Sequence, residues 1–411
     1  MATLSVRERV AALSAPKSVD ASLEHPTFAK PRKTNSFLRA PEKARPAPTE
    51  ESAPLPEVAE EAPAGGGAVS QAAEFASHAL GALLSLLNSR ADPAPVGTYE
   101  YPIGTPGVPW GRPERAAWVR RATAAPPARS YAREVLDALA PLKREFEVLQ
   151  YGALPHDPAR YPLFCVRSYQ WDARKPCVLV TGGVHGYEKS GVQGALRFLA
   201  SGAAREYALA FNLLVLPCVS PWGYEHVQRW NRDTVDPNRA FGPSASEGPA
   251  EEARAVMRLL DTLAGARWAA HVDLHETTDS DEGEFRPAKA ARNGDAYFVD
   301  AIPDGFYLVG DSADPQPAFH KAVIEGVRAV THVAPDERGC LIGEPITQEG
   351  VIAVPAAELG LCMGVTNATF RTTTEVYPDS PHVTEDECNR AQVAAVRATL
   401  DFILASGEMA V

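Results

Sequence analysis

Short apolar, β-branched runs alternate with stretches of helical periodicity along the last ~310 residues, and this alternation constrains the possible fold more than any other feature. Runs that read as strands cover residues 146–150, 162–167, 177–181, 212–217, 268–274 and 370–374. Helical segments cover 129–143, 191–200 and 251–263, the last with Ala253, Val256, Met257, Leu260 and Leu263 on one face. A closing helix opens on Thr384 and Glu387, spaced so that each side chain can satisfy the other's backbone N–H, and carries Val393, Val396, Leu400 and Ile403 as a stripe. Strands that take turns with helices predict a mostly parallel or mixed sheet covered on both faces. No internal repeat is present.

The N-terminal 95 residues differ in texture. Residues 24–70 hold eight prolines and then Gly65, Gly66 and Gly67, with few bulky apolar side chains. Such a stretch buries too little surface to offset its chain entropy. We therefore expect a largely disordered tail over 1–95, with a short helix at 72–87, ahead of one catalytic domain over 96–411. The apolar run 78–87 falls well short of the roughly 20 residues that cross a bilayer. The first 25 residues lack the apolar segment of a secretory signal. An excess of 52 acidic over 40 basic residues argues against a nucleic-acid partner. Six cysteines without a closely spaced pair read as free thiols in a reducing compartment, so no membrane partner and a cytoplasmic location are expected.

Sheets of this kind bind ligands beyond the C-terminal ends of their strands. After 177–181 come Gly182, Gly183, Val184, His185, Gly186, Tyr187 and Glu188; after 268–274 come His275, Glu276, Thr277 and Thr278; after 370–374 comes Glu375. His185 and Glu188, three apart beyond a glycine turn, can reach one ion, and His275 adds a second imidazole. Two imidazoles and a carboxylate make a catalytic zinc set that leaves a fourth position for water. In a chain with ten histidines one His185-to-Glu188 spacing means little, so the weight lies in the strand-end placement of all three. Asp273 shares the strand face of His275 and suits either a hydrogen bond to a ligand imidazole or a plain core role. His271 reads as a satisfied strand residue rather than a fourth ligand.

These residues, with Asp236, Pro237, Asn238, Arg239, Ala240 and Phe241 and with Asp273, Leu274, Thr374 and Glu375, occur in an order that resembles the zinc metallocarboxypeptidase superfamily. That superfamily includes carboxypeptidase A/B-like enzymes and the succinylglutamate desuccinylase/aspartoacylase branch. The resemblance spans about residues 125–405. It implies a three-layer α/β/α sandwich, phosphorylase/hydrolase-like, with a mixed, mostly parallel sheet of about eight strands and one Zn2+ per chain. By position, His185, Glu188 and His275 look like the zinc ligands, and Asn238 and Arg239 like the pair that holds a substrate carboxylate. Glu375 looks like the general base. Arg229, with Arg232 as a nearby rival, looks like the arginine that polarises the scissile carbonyl. Pro237 stands where the family has leucine. The planar fork of Arg239 suits a carboxylate; an ion pair with Asp236 is its alternative use.

The resemblance implies a metallocarboxypeptidase, with two alternatives: a zinc amidohydrolase of small N-acyl amino acids, or a catalytically silent binding protein on the same fold. In either enzymatic case the partner is a peptide or small molecule with a free carboxylate. Asp279, Asp281, Glu282 and Glu284 follow His275; as a cleft border they would favour a basic C-terminal residue, and as a solvated loop they would do nothing. Residues 286–310, rich in small and turn-forming types, are a candidate lid.

Overall fold

The computed structural model describes residues 101–407 except 170, 243–247, 298, 337 and 338. The expected tail, its helix at 72–87 and the boundary at 95 lie outside the described residues. The helices that position the site are α1 (Arg112–Ala122), α2 (Lys189–Ala200), α3 (Pro221–His226), α4 (Glu251–Asp261), α5 (Arg286–Asn293), α6 (Pro317–Arg328) and α7 (Glu385–Ser406).

The strands are β1 (Phe146–Ala153), β2 (Pro162–Ser168), β3 (Cys177–Gly182), β4 (Asn212–Leu216), β5 (Trp268–Glu276), β6 (Tyr307–Asp311), β7 (Cys340–Leu341), β8 (Glu344–Gln348), β9 (Val351–Val354) and β10 (Phe370–Val376). They form one mixed sheet in the order β1-β2-β4-β3-β5-β10-β6-β9-β8-β7. Its centre, β4-β3-β5-β10, is parallel, so four C-terminal strand ends share one edge. The sheet has ten strands, not about eight. Four of the ten were not read from the sequence: β6, a buried five-residue strand, and β7, β8 and β9, short runs separated by Gly343 and Gly350 that carry no strand-length apolar pattern.

Strand alternation divides the core. Val178 and Val180 of β3 and Leu213 and Val215 of β4 face the side covered by α2, α6 and α7. Leu179, Leu214 and Leu216 point the other way, onto Ala253 and Val256 of α4. Helix α7 starts as expected: the Thr384 hydroxyl accepts from Glu387 N at 3.2 Å, and the Glu387 carboxylate accepts from Thr384 N at 2.9 Å.

The helix read at 129–143 is present but irregular: it is wide, π-helical, over Ala132–Leu136, α-helical through Asp137–Leu139, and tightens to a 3-10 turn at Pro141–Arg144, where proline cannot donate to the helical ladder. One expectation needs correction. The candidate lid at 286–310 contains helix α5 and the start of the buried strand β6. Among the described residues no helix is long and apolar enough to cross a membrane.

Candidate metal centre

The turn after β3 takes its shape from its glycines. Gly183 has φ +61°, a left-handed conformation that side chains resist, and a Cβ on Gly186 would lie 2.1 Å from the backbone of α3. Arg129, left outside the helix expected for it, donates to the carbonyls of Gly186 and Tyr187 at 3.2 and 2.9 Å and holds the turn closed. Glu188 sits immediately before α2, where an acidic side chain would ordinarily cap the helix. Glu276 of β5 does that instead, accepting from Ser190 N at 2.6 Å and Lys189 N at 3.1 Å. Glu188 is thereby released to turn into the site.

His185, Glu188 and His275 converge, and they are only 1–2% exposed. Glu188 Oε1 lies 2.7 Å from His185 Nδ1, and Oε2 lies 2.7 Å from His275 Nδ1; the two Nδ1 atoms are 3.1 Å apart. The far nitrogens face carboxylates. His185 Nε2 is 2.8 Å from Asp236 Oδ1, and His275 Nε2 is 2.9 Å from Asp273 Oδ2. A proton held on each Nε2 leaves each Nδ1 as a lone-pair donor, the arrangement in which imidazoles bind metals. Two nitrogens about 2.0–2.1 Å from one tetrahedral ion must be ~3.3 Å apart, close to the spacing here. The donor set therefore fits a divalent cation. Protons in its place would bring two imidazolium charges into contact.

The electrostatics follow from this crowding. Burial disfavours charge on Glu188, yet His275 and His185 hold its carboxyl below the usual range. Despite burial, Glu188 and Asp273 keep the His275 imidazole well above its ordinary value. Burial pushes the Glu276 carboxyl up to about 7 against its bonds to Ser190, with Glu188 adding to the rise.

Glu375 lies directly across from His275 in the parallel register of β5 and β10. It is half-buried and accepts from Thr277 Oγ1 at 3.0 Å, and that hydroxyl also contacts Tyr307 OH at 2.7 Å. Burial raises its carboxyl to about 8; the His275 charge opposes the shift and Glu188 reinforces it.

Arg229 borders the ligands, with Nη1 4.0 Å from Glu188 Oε1. Its Nε donates to Asp236 at 3.1 Å and its Nη1 to Asp281 at 3.2 Å. Arg232 is exposed and makes no contact with this group. The Asn238 side chain is buried: Oδ1 accepts from Cys362 N at 2.7 Å, and Nδ2 is 3.5 Å from His275 Nε2. Arg239 is half-buried and donates to Asn238 O at 2.8 Å. Among the described residues it has no carboxylate within ion-pair distance, and Asp236 is engaged by His185 and Arg229 instead.

The acidic run after His275 is not a free negative border. Asp281 is buried and accepts from Tyr187 OH, Thr278 N and Arg229. Glu282 pairs with Arg286, and Glu284 with Arg121. Sequence reasoning did not assign Arg129 or Glu276 a place at the site and offered Asp281 only as part of an acidic border, because their roles depend on contacts between distant segments. A second buried group, His271, Asp273 and Cys362, closes around the Thr181 hydroxyl, which lies 3.0 Å from His271 Nε2 and donates to Asp273 at 2.6 Å.

The described chain is thus an α/β protein whose central parallel strands converge on a buried two-histidine, one-carboxylate centre. A family model described as a protein of unknown function, DUF2817, matches residues 132–312. No curated protein matches the sequence. Solved structures similar to it include a protein of Shewanella amazonensis, provisionally described as a metallopeptidase, at 20% identity and TM-score 0.47, covering 66% of this chain and 91% of that one. A metallo-carboxypeptidase of Burkholderia cenocepacia matches at 15% identity and TM-score 0.44, over 72% and 69% of the two chains. Bovine thrombin-activatable fibrinolysis inhibitor, solved with a tick carboxypeptidase inhibitor, matches at 12% identity and TM-score 0.43, over 73% and 99%. The functional reading rests on the side chains themselves.

Proposed function

We propose that this chain is a zinc-dependent metallocarboxypeptidase, hydrolysing the amide bond next to a free C-terminal carboxylate. One observation carries the reading: Glu375 stands in register with His275, beside three convergent donors, two of them imidazoles whose far nitrogens are fixed by carboxylates. His185, Glu188 and His275 would hold zinc, which would supply Lewis acidity and a more acidic water. Glu375 would serve as the base that accepts a proton from the attacking water and passes it to the departing amine, with Thr277 orienting its carboxylate. Arg229, fixed by Asp236 and Asp281, places positive charge where an oxyanion develops. Arg239, without a carboxylate partner among the described residues, anchors the substrate carboxylate beside Asn238. All six cysteines are free, in keeping with a reducing cytoplasm.

A second reading, a zinc amidohydrolase of small N-acyl amino acids, is favoured by the depth of the ligands, each 1–2% exposed, which suits a small substrate better than a chain. Turnover of hippuryl dipeptides set against N-succinyl and N-acetyl amino acids separates the two. Cleavage of the acylated amino acids alone selects the second reading. Zinc-free protein after purification and zinc reconstitution rejects both.

A further inference from the structure

Behind the centre, helix α7 sends a polar side chain into the buried layer between itself, β5 and β10. Gln392 is fully buried, with an exposure of 0%. Its Nε2 donates to the backbone carbonyl of His275 at 2.8 Å and to Ser190 Oγ at 3.3 Å. Its Oε1 accepts from Thr374 Oγ1 at 2.5 Å. One amide thus joins the residue that bears the second imidazole, the residue preceding Glu375, and the first turn of the helix that begins directly after Glu188.

This contact is built for. Helix α2 meets α7 at Gly194, where a Cβ would lie 2.5 Å from Gln392 Cβ, so only glycine lets the amide enter the layer. A buried primary amide is costly unless its donors and acceptor are matched, and here both ends are. An aliphatic residue of the same length would fill this layer without that requirement. The bonds also fall at points where a small displacement matters. The carbonyl of His275 belongs to the peptide that sets the pitch of its imidazole, and Thr374 fixes the adjacent strand one residue before Glu375.

We infer that Gln392 is a positioning residue of the centre, setting the distance and orientation of His275 relative to Glu375 and Glu188 from the C-terminal helix. The inference rests on the metal reading proposed above and adds to it a control point more than a hundred residues from His275 in sequence. Gln392 touches neither metal nor substrate; it acts through the backbone it holds.

The test uses full-length protein loaded with cobalt(II), whose visible spectrum reports ligand geometry. Gln392→Met keeps the length of the side chain and removes all three bonds; Thr374→Val removes only the hydroxyl that holds Oε1. The expected results are cobalt affinity about 10- to 100-fold weaker in Gln392→Met, the range for loss of a group that orients a metal ligand, and a changed visible band at saturating metal. Thr374→Val shifts both in the same direction by less, and the double variant is no worse than Gln392→Met alone, because the two act through one contact. A Gln392→Met protein with a lower melting temperature but unchanged cobalt affinity and spectrum overturns the inference while leaving the metal reading intact. Wild-type protein that takes up no cobalt overturns both. Should Gln392→Met fail to fold, Thr374→Val alone decides: wild-type affinity and spectrum there overturn the inference.

Discussion

At the scale of single residues, the centre is defined by what lies behind its ligands. Asp236 and Asp273 hold the far nitrogens of His185 and His275, which keeps both near nitrogens available to one ion. Replacing either acid by asparagine should weaken zinc binding about 10- to 100-fold, read by competition with a chelator. His275→Ala should abolish stoichiometric zinc altogether, seen by elemental analysis. Glu375→Gln is expected to behave differently. It should retain zinc and a wild-type melting temperature, and lose about 10²- to 10⁴-fold in turnover, the usual range for a proton-transferring side chain. Loss of zinc from that variant would place Glu375 among the ligands and remove it from the proposed proton transfer.

At the scale of elements, the turn after β3 leaves no room for added side chains. A methyl group at Gly186 would meet the backbone of α3 at 2.1 Å, so Gly186→Ala must displace either the helix or the ligand turn. It should cost about 1–3 kcal/mol in denaturant unfolding and lower zinc content in step. By contrast Thr384→Ala removes one member of the α7 capping pair and should cost about 1 kcal/mol without altering zinc binding. Elements such as these mark what was legible in the sequence. Six strands and the α7 capping pair stood out because apolar spacing and cap chemistry are local properties. The strand-end positions of His185, Glu188, His275 and Glu375 followed from the same signals. Strand β9 did not stand out, since its burial comes from pairing with the distant β6, and β7 and β8 are added beyond it as a short hairpin edge with no apolar run of their own. Helix α5 was hidden by Pro287 and by small residues that give no apolar stripe. The acidic run was misleading for a related reason: charge is visible in a sequence, but Arg121, Arg229 and Arg286, which neutralise it, come from three different segments.

For the molecule as a whole, stability should depend on acidity through histidines outside the centre. His320 of α6 is buried, which lowers its imidazole to about 4, and its Nε2 has no hydrogen-bond partner among the described residues. The unfolded chain takes up that proton near pH 6.5 while the folded chain does not. Stability is therefore full above about pH 6.5 and falls as the pH drops from there toward 4. His320→Leu should remove part of that slope, about 2 kcal/mol at pH 5, in urea titrations at pH 7.5 and 5. His271, lowered to about 4 in the same way, should leave a residual slope in the variant.

The sheet order carries a consequence for how the protein is made. Strand β10 lies between β5 and β6, yet it is synthesised after both. A nascent chain therefore displays two unpaired strand edges, one of them bearing His275, until the ribosome has passed Val376, and the helix that braces them from behind emerges later still. On the reading proposed above, the three candidate ligands are synthesised at least a hundred residues ahead of Glu375, and Gln392, which braces His275 from behind, comes after it, so the centre takes its final geometry only when β10 and α7 close over β5.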